Sequence, residues 1–277
     1  MSDTLKSIHK LRDIMAALRD PDRGCPWDLQ QDFASIVPHT LEEAYEVAEA
    51  IERGDMDELR DELGDLLFQV VFYARLGEEQ GRFDLDQVAA GIVDKLVRRH
   101  PHVFAGDASI SDAEAQTRAW EAGKARERAA KAGASGALSG VALALPALSR
   151  AVKLQRRAAR VGFDWPEITP VFAKVEEELA EVREEVRVEI ESGANQARIA
   201  EEMGDLLFAV TNLARLAHVE PETALRRANR KFERRFAQME ALAAAQGRAL
   251  DSLDLESWEA LWETVKAGET TGQTDDA

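Results

Sequence analysis

One long pattern occurs in both halves of the chain, and this repeat limits the possible folds more than any other feature. The seven residues ELGDLLF at 62–68 return as EMGDLLF at 202–208. The match extends to DELGDLLFQVVFYARL at 61–76 and EEMGDLLFAVTNLARL at 201–216. A pattern used twice indicates two copies of one folding unit. The length of 277 residues is enough for two domains that each bury a core.

The segments around the repeat have the spacing of amphipathic helices. Apolar residues recur every three or four positions in LEEAYEVAEAI at 41–51 and again from 59 to 76. All eight prolines lie at places where helices would begin or stop. No run alternates apolar with polar residues as a half-buried strand does. The sequence therefore predicts an all-α fold of two tandem helical bundles, each of about four helices.

Large side chains become sparse in two places, and these set the expected domain limits. The segment AAKAGASGALSG at 129–140 has the composition of a connector, and the C-terminal residues contain few apolar groups. We expect an N-terminal helical domain at 1–130, a flexible linker at 131–145, a C-terminal helical domain at 146–266 and a disordered tail at 267–277.

Composition excludes several classes of partner and location. The formal charge of −17, from 52 acidic and 35 basic residues, argues against a nucleic acid or an anionic membrane as partner. The single cysteine, Cys25, cannot form an intramolecular disulfide or a cysteine zinc site, as is typical of cytoplasmic proteins. The N-terminus MSDTLKSIHK lacks the apolar core of a signal peptide, and the apolar run at 141–148 is too short to span a membrane. We therefore expect a soluble cytoplasmic protein.

Acidic residues stand at fixed places beside the repeated apolar positions. In each half, one helix has two glutamates three residues apart, and the next helix has a glutamate three residues before an aspartate. The pairs are Glu43 with Glu46, Glu62 with Asp65, Glu178 with Glu181, and Glu202 with Asp205. Residues three apart share one helix face, and short connections make the two helices antiparallel neighbours. The four carboxylates of each half can therefore share one cleft.

Carboxylates gathered in one cleft need a counter-charge. Two like charges about 4 Å apart repel by about 4 kcal/mol at an effective dielectric constant near 20. A bound cation or protonation must offset this repulsion. Oxygen ligands suit hard cations, so the pattern predicts Mg²⁺, with Mn²⁺ able to substitute, and does not favour zinc. No histidine stands at a ligand spacing, which disfavours di-iron chemistry, and a solvated acidic helix face is the alternative interpretation.

These motifs resemble the MazG family of all-α nucleoside triphosphate pyrophosphohydrolases. The motifs EEAYE with ELGD and EEELAE with EMGD look like the metal-binding signature of that family, and GCPWD, RRHPHVF, VGFDW and KFERRF also fit. The resemblance covers the chain from about 5 to 266 and makes both domains MazG-like. It implies a Mg²⁺-dependent homodimer that cuts nucleoside triphosphates between the α and β phosphates, giving a monophosphate and pyrophosphate.

The resemblance also assigns roles to individual residues of the second half. It makes that half the catalytic domain, with catalytic and metal-ligand positions at Glu178, Glu181, Glu202 and Asp205. It places the nucleotide contacts of the family at Lys174, Glu177, Arg198, Glu201, Lys231, Arg235 and Trp262. Either Glu178 or Glu181 would activate the attacking water. By spacing alone, Trp262 is equally a packing residue.

The role of the first half stays open at this point. It keeps all four acidic positions as possible metal ligands, and Lys95 and Arg99 repeat the basic pair of the second half. These residues fit a second active site, a regulatory nucleotide site or a unit that builds the dimer. For the whole chain, a rival of another class is a dimeric scaffold or nucleotide sensor that binds metal and nucleotide without turnover. No phosphate-binding G-x-x-x-x-G-K-[ST] loop is present, so metals and side chains must hold the phosphates.

Overall fold

The computed structural model describes residues 3–105, 136–193 and 195–272, together with the single residues Asp112, Gln116, Ala119, Trp120 and Gly123. Over this part of the chain all regular structure is helical, with eleven α-helices and one short 3₁₀ helix. The chain divides into two compact units, residues 1–126 and 127–277. The predicted all-α fold with two tandem helical domains is confirmed. None of the helices described has the length and apolarity needed to cross a membrane.

In the first unit, residues 3–105 form four long helices and two short ones. They are α1 (Asp3–Leu18), α2 (Pro26–Gln30), α3 (Val37–Arg53), α4 (Met56–Glu79), α5 (Leu85–Arg99) and α6 (Pro101–Phe104). Helices α3 and α4 pack side by side, and both α1 and α5 pack against α4. The α3–α4 pair contains the acidic motifs of this half.

A two-residue connection turns the chain back between α3 and α4. Gly54 ends α3 in the left-handed conformation, with φ 73°, which a residue without a Cβ adopts at little cost. Asp55 then caps α4, because its carboxylate accepts from the backbone N–H groups of Asp57 and Glu58. This tight turn makes the two helices antiparallel and sets their acidic motifs face to face.

The core of the first unit lies between α1, the segment before α3 and the second half of α4. It contains the buried side chains of Met15, Ile36, Val71, Phe72 and Leu76. These residues come from α1, from the segment before α3, and from the second half of α4. The core therefore lies along the second half of α4, whereas the acidic motif lies in its first half.

A buried arginine joins three segments next to this core. The Arg19 guanidinium donates from Nη2 to Oε2 of Glu79 at 2.7 Å. Its Nη1 donates to the backbone carbonyl of Asp28 and, at 3.2 Å, to that of Gln31. Its guanidinium carbon also lies 5.5 Å from the centroid of the Phe72 ring. This Arg19 clamp fixes the ends of α1 and α4 and the short helix α2.

The part of the second unit that the structure describes contains five α-helices and the 3₁₀ helix. They are α7 (Ala147–Ala159), α8 (Thr169–Ser192), α9 (Gln196–Leu216), α10 (Pro221–Ala245), the 3₁₀ helix Leu250–Ser252, and α11 (Leu255–Gly272). Helices α8 and α9 form the pair that corresponds to α3 and α4, and α7 packs against α9 and α10. Helix α11 packs against α10 around a buried core of Met239, Ala243, Leu261 and Val265.

The C-terminus departs from the expectation that residues 267–277 are a disordered tail. Helix α11 continues through Gly272, and residues 273–277 lie outside the described part. The Glu269 carboxylate accepts from Arg235 Nη2 at 2.7 Å and from Arg234 Nη2 at 2.8 Å. Hydrogen bonds from Arg235 and then Arg234 lower the pKa of Glu269 to about 2. These ion pairs anchor the last turns of the helix, so the domain extends beyond 266.

The predicted linker at 131–145 begins outside the described part and passes through turns at 137–140.

Candidate metal centres

The first acidic cluster lies between α3 and α4. Carboxylate oxygens of Glu43, Glu46 and Glu62 lie within 4.8 Å of one another. Burial, and then the charges of Asp65 and Glu46, raise the pKa of Glu43. Burial, and then the charges of Glu46 and Asp65, also raise the pKa of Glu62. The amide Nε2 of Gln69 donates to Glu43 Oε1 at 3.4 Å. Because neighbouring carboxylates contribute to both raised pKa values, the first cluster brings negative charges close together.

The second acidic cluster occupies the matching place between α8 and α9. Carboxylate oxygens of Glu178, Glu181 and Glu202 lie within 4.8 Å of one another. Glu178 and Glu202 are buried, whereas Glu181 is exposed. A hydrogen bond to Glu178, followed by burial and the charges of Glu178 and Glu202, raises the pKa of Glu181. The second cluster is therefore a partly buried acidic site that opens to solvent on the side of Glu181.

The structure brings together six of the eight acidic residues predicted to bind metal. Asp65 and Asp205 lie outside the two groups of oxygen atoms. Each stands three residues after a cluster glutamate on the same helix, and Asp65 is close enough to raise the pKa of Glu43. The ligand role of all eight residues remains a prediction.

The donor atoms of both clusters fit a hard divalent cation. Each cluster offers carboxylate oxygens, which Mg²⁺ and Mn²⁺ prefer to nitrogen or sulfur. Oxygens bound to one Mg²⁺ at about 2.1 Å lie about 3 to 4 Å apart. The cluster oxygens are at most 4.8 Å apart, so small side-chain movements would close either cluster around an ion.

Two basic side chains form ion pairs with carboxylates of the second cluster. Lys174 Nζ lies 2.8 Å from Glu178 Oε1, and Arg198 Nη2 lies 2.8 Å from Glu202 Oε1. Lys174 also pairs with Glu177 at 3.0 Å, and Arg198 also pairs with Glu201 at 2.7 Å. The hydrogen bonds to Glu178 and Glu177 raise the pKa of Lys174, and the charges of Glu201 and Glu202 raise that of Arg198. These four predicted nucleotide contacts therefore lie beside the carboxylates.

The other three predicted nucleotide contacts lie on α10 and α11. The Arg235 guanidinium is 5.2 Å from the centroid of the Trp262 ring and is held by Glu269. Trp262 also packs on the core of this helix pair, with its ring 5.8 Å from that of Phe232. Lys231 is exposed, one turn before Arg235 on α10. Trp262 is thus a packing residue that also presents a cation–π contact.

The sequence motifs did not identify Gln69 or Glu269. Alignment of the two halves could have identified Gln69, because this polar residue stands where the second half has the apolar Ala209. Glu269 had a weaker signal, since it stands seven residues after Trp262 and therefore shares its helix face.

Comparison with known proteins connects these clusters to a family. The family model described as MazG nucleotide pyrophosphohydrolase domain matches the chain twice, at residues 31–104 and 169–239. These two segments contain the α3–α4 and α8–α9 pairs and therefore both clusters. This chain belongs to the MazG family. It is accordingly an enzyme of the hydrolase class.

Relatives of the chain match it over nearly its whole length. The nucleoside triphosphate pyrophosphohydrolase of Escherichia coli (strain K12) is 52% identical over 265 residues, which are 96% of this chain and 99% of the relative. The nucleoside triphosphate pyrophosphohydrolase/pyrophosphatase MazG of Thermotoga maritima is 40% identical over 264 residues, which are 95% of this chain and 97% of the relative. The uncharacterized protein YabN of Bacillus subtilis is 42% identical over 258 residues, which are 93% of this chain and 51% of that protein.

Proposed function

We propose that this MazG-family chain hydrolyses nucleoside triphosphates between the α and β phosphates, with Mg²⁺ as cofactor. The products are a nucleoside monophosphate and pyrophosphate. The observation that supports this most directly is the second cluster, in which three converging carboxylates lie beside two phosphate-binding side-chain types. The names of the two relatives that match end to end support the substrate class. Such a reaction would serve nucleotide-pool housekeeping or the removal of triphosphates under stress.

The residue types of the second cluster suit this chemistry. Glu178, Glu181 and Glu202, with Asp205 on the same face of α9, would hold Mg²⁺, which would neutralise charge on the triphosphate and the leaving pyrophosphate. Lys174 would bind phosphate oxygens, as would Arg198 through charge-assisted hydrogen bonds. Either Glu178 or Glu181 would accept the proton of the attacking water.

The group on α10 and α11 would hold other parts of the same nucleotide. Lys231 and Arg235 are four residues apart on one helix face, and both would bind phosphate oxygens. Trp262 would contact the nucleotide through its ring, on which Arg235 already rests. This assignment makes the α10–α11 pair part of the substrate site.

We further propose that the protein is a cytoplasmic homodimer. Helix α5 has no buried residue, and five of its large apolar side chains are exposed. These are Val88, Ile92, Val93, Leu96 and Val97. A continuous apolar helix face of this kind marks an interaction surface, and a second copy of the chain is the partner that the family resemblance implies. A single cysteine suits the reducing cytoplasm.

Product analysis tests the proposed reaction. The chain is incubated with Mg²⁺ and each common nucleoside triphosphate, and the products are separated by chromatography. Monophosphate and pyrophosphate in equal amounts are expected. Diphosphate and orthophosphate would mean that another bond is cut. No product from any triphosphate would favour the dimeric scaffold or nucleotide sensor.

A matched pair of variants tests which unit is catalytic. Glu178→Gln in the second cluster should lower turnover by more than about 100-fold. Loss of a residue that hydrogen-bonds to a metal ligand lowers activity by about 10- to 100-fold, and loss of the ligand itself should lower it further. Glu43→Gln makes the same change at the matching position of the first cluster. Loss of turnover in the Glu43→Gln chain alone would place catalysis in the first unit.

A further inference from the structure

In the second cluster, two cations occupy the carboxylates that a metal would need. Lys174 stands four residues before Glu178, and Arg198 stands four residues before Glu202, which is one helical turn in each case. The Glu178 side chain is 8% exposed and that of Lys174 is 38% exposed. The Glu202 side chain is 11% exposed and that of Arg198 is 54% exposed. Each pair therefore joins a fixed, buried acceptor to a long, exposed donor that can rotate towards solvent.

The first cluster has different residues at the matching positions. His39 stands four residues before Glu43, and Glu58 stands four residues before Glu62. Neither position supplies a permanent cation. Instead, the amide of the buried Gln69 donates to Glu43, and its Oε1 is buried without a hydrogen-bond partner. Rotation of this amide would turn that oxygen towards the cluster, where it could serve as a further ligand.

Metal binding has opposite consequences for the two clusters. In the second cluster, a divalent cation competes with Lys174 for Glu178 and with Arg198 for Glu202, and it repels both displaced side chains. A triphosphate removes this penalty, because ammonium and guanidinium groups bind phosphate oxygens well. In the first cluster, the charge of Arg53 acts on Glu62, but Arg53 pairs with Glu49 and Glu58. A divalent cation there meets carboxylates and an amide, so it gains stabilisation without displacing a lysine or arginine from the matching positions.

We infer that Lys174 and Arg198 exchange partners: they hold Glu178 and Glu202 in the metal-free protein and turn to the phosphates when metal and nucleotide enter together. Metal and triphosphate then strengthen each other's binding in the second unit, and the coupling is reciprocal. The first cluster binds a divalent cation without nucleotide. The inference rests on the proposed function, because the anion that accepts the two side chains is the triphosphate.

Equilibrium binding of Mn²⁺ tests the exchange without any turnover. Free Mn²⁺ is measured by electron paramagnetic resonance in the full-length Glu43→Gln chain, so that the second cluster dominates the titration. Lys174→Met and Arg198→Met are then added singly, since Met keeps an aliphatic stem and removes the charge. Each should strengthen Mn²⁺ binding in the absence of nucleotide by about tenfold, the effect of one lost charge-assisted hydrogen bond. Each should also weaken binding of an α,β-methylene triphosphate in the presence of Mn²⁺.

Arg187→Met is the matched control. Arg187 lies on α8 and pairs with Glu184 and Glu191, so its loss changes net charge equally without touching the cluster. Circular dichroism checks that every variant is folded, and Lys174→Gln and Arg198→Gln replace any Met variant that is not. Mn²⁺ binding that is unchanged, weakened, or strengthened no more than in the control would overturn the exchange.

The first cluster is tested in the full-length Glu178→Gln chain. After allowance for the Mn²⁺ that the nucleotide itself chelates, the Mn²⁺ affinity of this cluster should be the same with and without the α,β-methylene nucleoside triphosphate. Tightening of this site by the nucleotide would overturn this part of the inference. The outcome is separable from that of the proposed function. If Mn²⁺ behaves as expected but no triphosphate is hydrolysed, the proposed reaction fails, whereas pyrophosphate release without coupling refutes the exchange alone.

Discussion

Replacement of Glu79 by Gln should destabilise the first unit by about 2 kcal/mol, because it breaks the Arg19 clamp. Glu79 accepts from Arg19 Nε at 3.0 and 3.1 Å and from Nη2 at 2.7 Å. The Arg19 side chain is only 8% exposed, whereas that of Glu79 is 28% exposed. Removal of one partner of a buried ion pair costs about 3–5 kcal/mol. The partial exposure of Glu79 and the acceptor oxygen kept by Gln reduce this to about 2 kcal/mol.

Urea denaturation measures this loss. With a slope of about 2 kcal/mol per molar urea, the midpoint of the first unit's transition should fall by about 1 M. Hydrogen exchange in peptides from α1 and α4 assigns the change to this unit. Glu78→Gln is the matched control, because Glu78 is the neighbouring carboxylate, is 52% exposed and pairs with Arg75 at 3.0 Å. It should cost less than about 1 kcal/mol. Equal midpoint shifts for the two variants would refute the argument from burial.

The same contact predicts how stability depends on pH. Burial opposes the charge of Glu79, but hydrogen bonds from Arg19 and Arg75 outweigh it and lower the pKa of this carboxyl. Its contribution is therefore complete above the unfolded-state pKa of about 4.3 and is lost as pH falls through the lower folded-state value. The gap in urea midpoint between wild type and Glu79→Gln should be full at pH 7 and should narrow below about pH 4. A gap that stays constant would contradict the assigned cause.

Three further changes have definite expected outcomes. Phe72→Ala should lower the stability of the first unit by about 3–5 kcal/mol in urea titrations, since the ring is fully buried. Gly77→Ala should cost about 1–3 kcal/mol, because the new Cβ would lie 2.6 Å from the Phe83 ring and 2.7 Å from its carbonyl oxygen; an unchanged midpoint would contradict that clash. A chain that ends at 266 should melt at a lower temperature in calorimetry than one that ends at 272, because it lacks Glu269 and its ion pair with Arg235. Equal melting temperatures would show that these last turns are dispensable.

The helices and the two clusters of glutamates could be predicted because both depend on local spacing. Glu43 and Glu46 share a helix face in any helix, and the Gly54–Asp55 connection is short enough to make the next helix an antiparallel neighbour. The convergence of Glu178, Glu181 and Glu202 follows from the same rules applied to the second half. Nothing beyond periodicity and turn chemistry was needed for this part.

Contacts between residues distant in sequence could not be predicted in this way. Glu269 is held by arginines 34 and 35 residues earlier, so composition alone indicated a disordered tail. The position of Asp65 and Asp205 outside the oxygen groups depends on side-chain rotamers, which spacing does not determine.

The two units have separate cores, one around Phe72 and the other around Met239. Heating should therefore give two calorimetric peaks, and a lesion in one core should leave the other unit intact. In a cell, a chain with one unfolded unit would be cleaved by proteases in that unit, and the folded unit would remain. Selection on each core can thus act separately, although both are translated as one polypeptide.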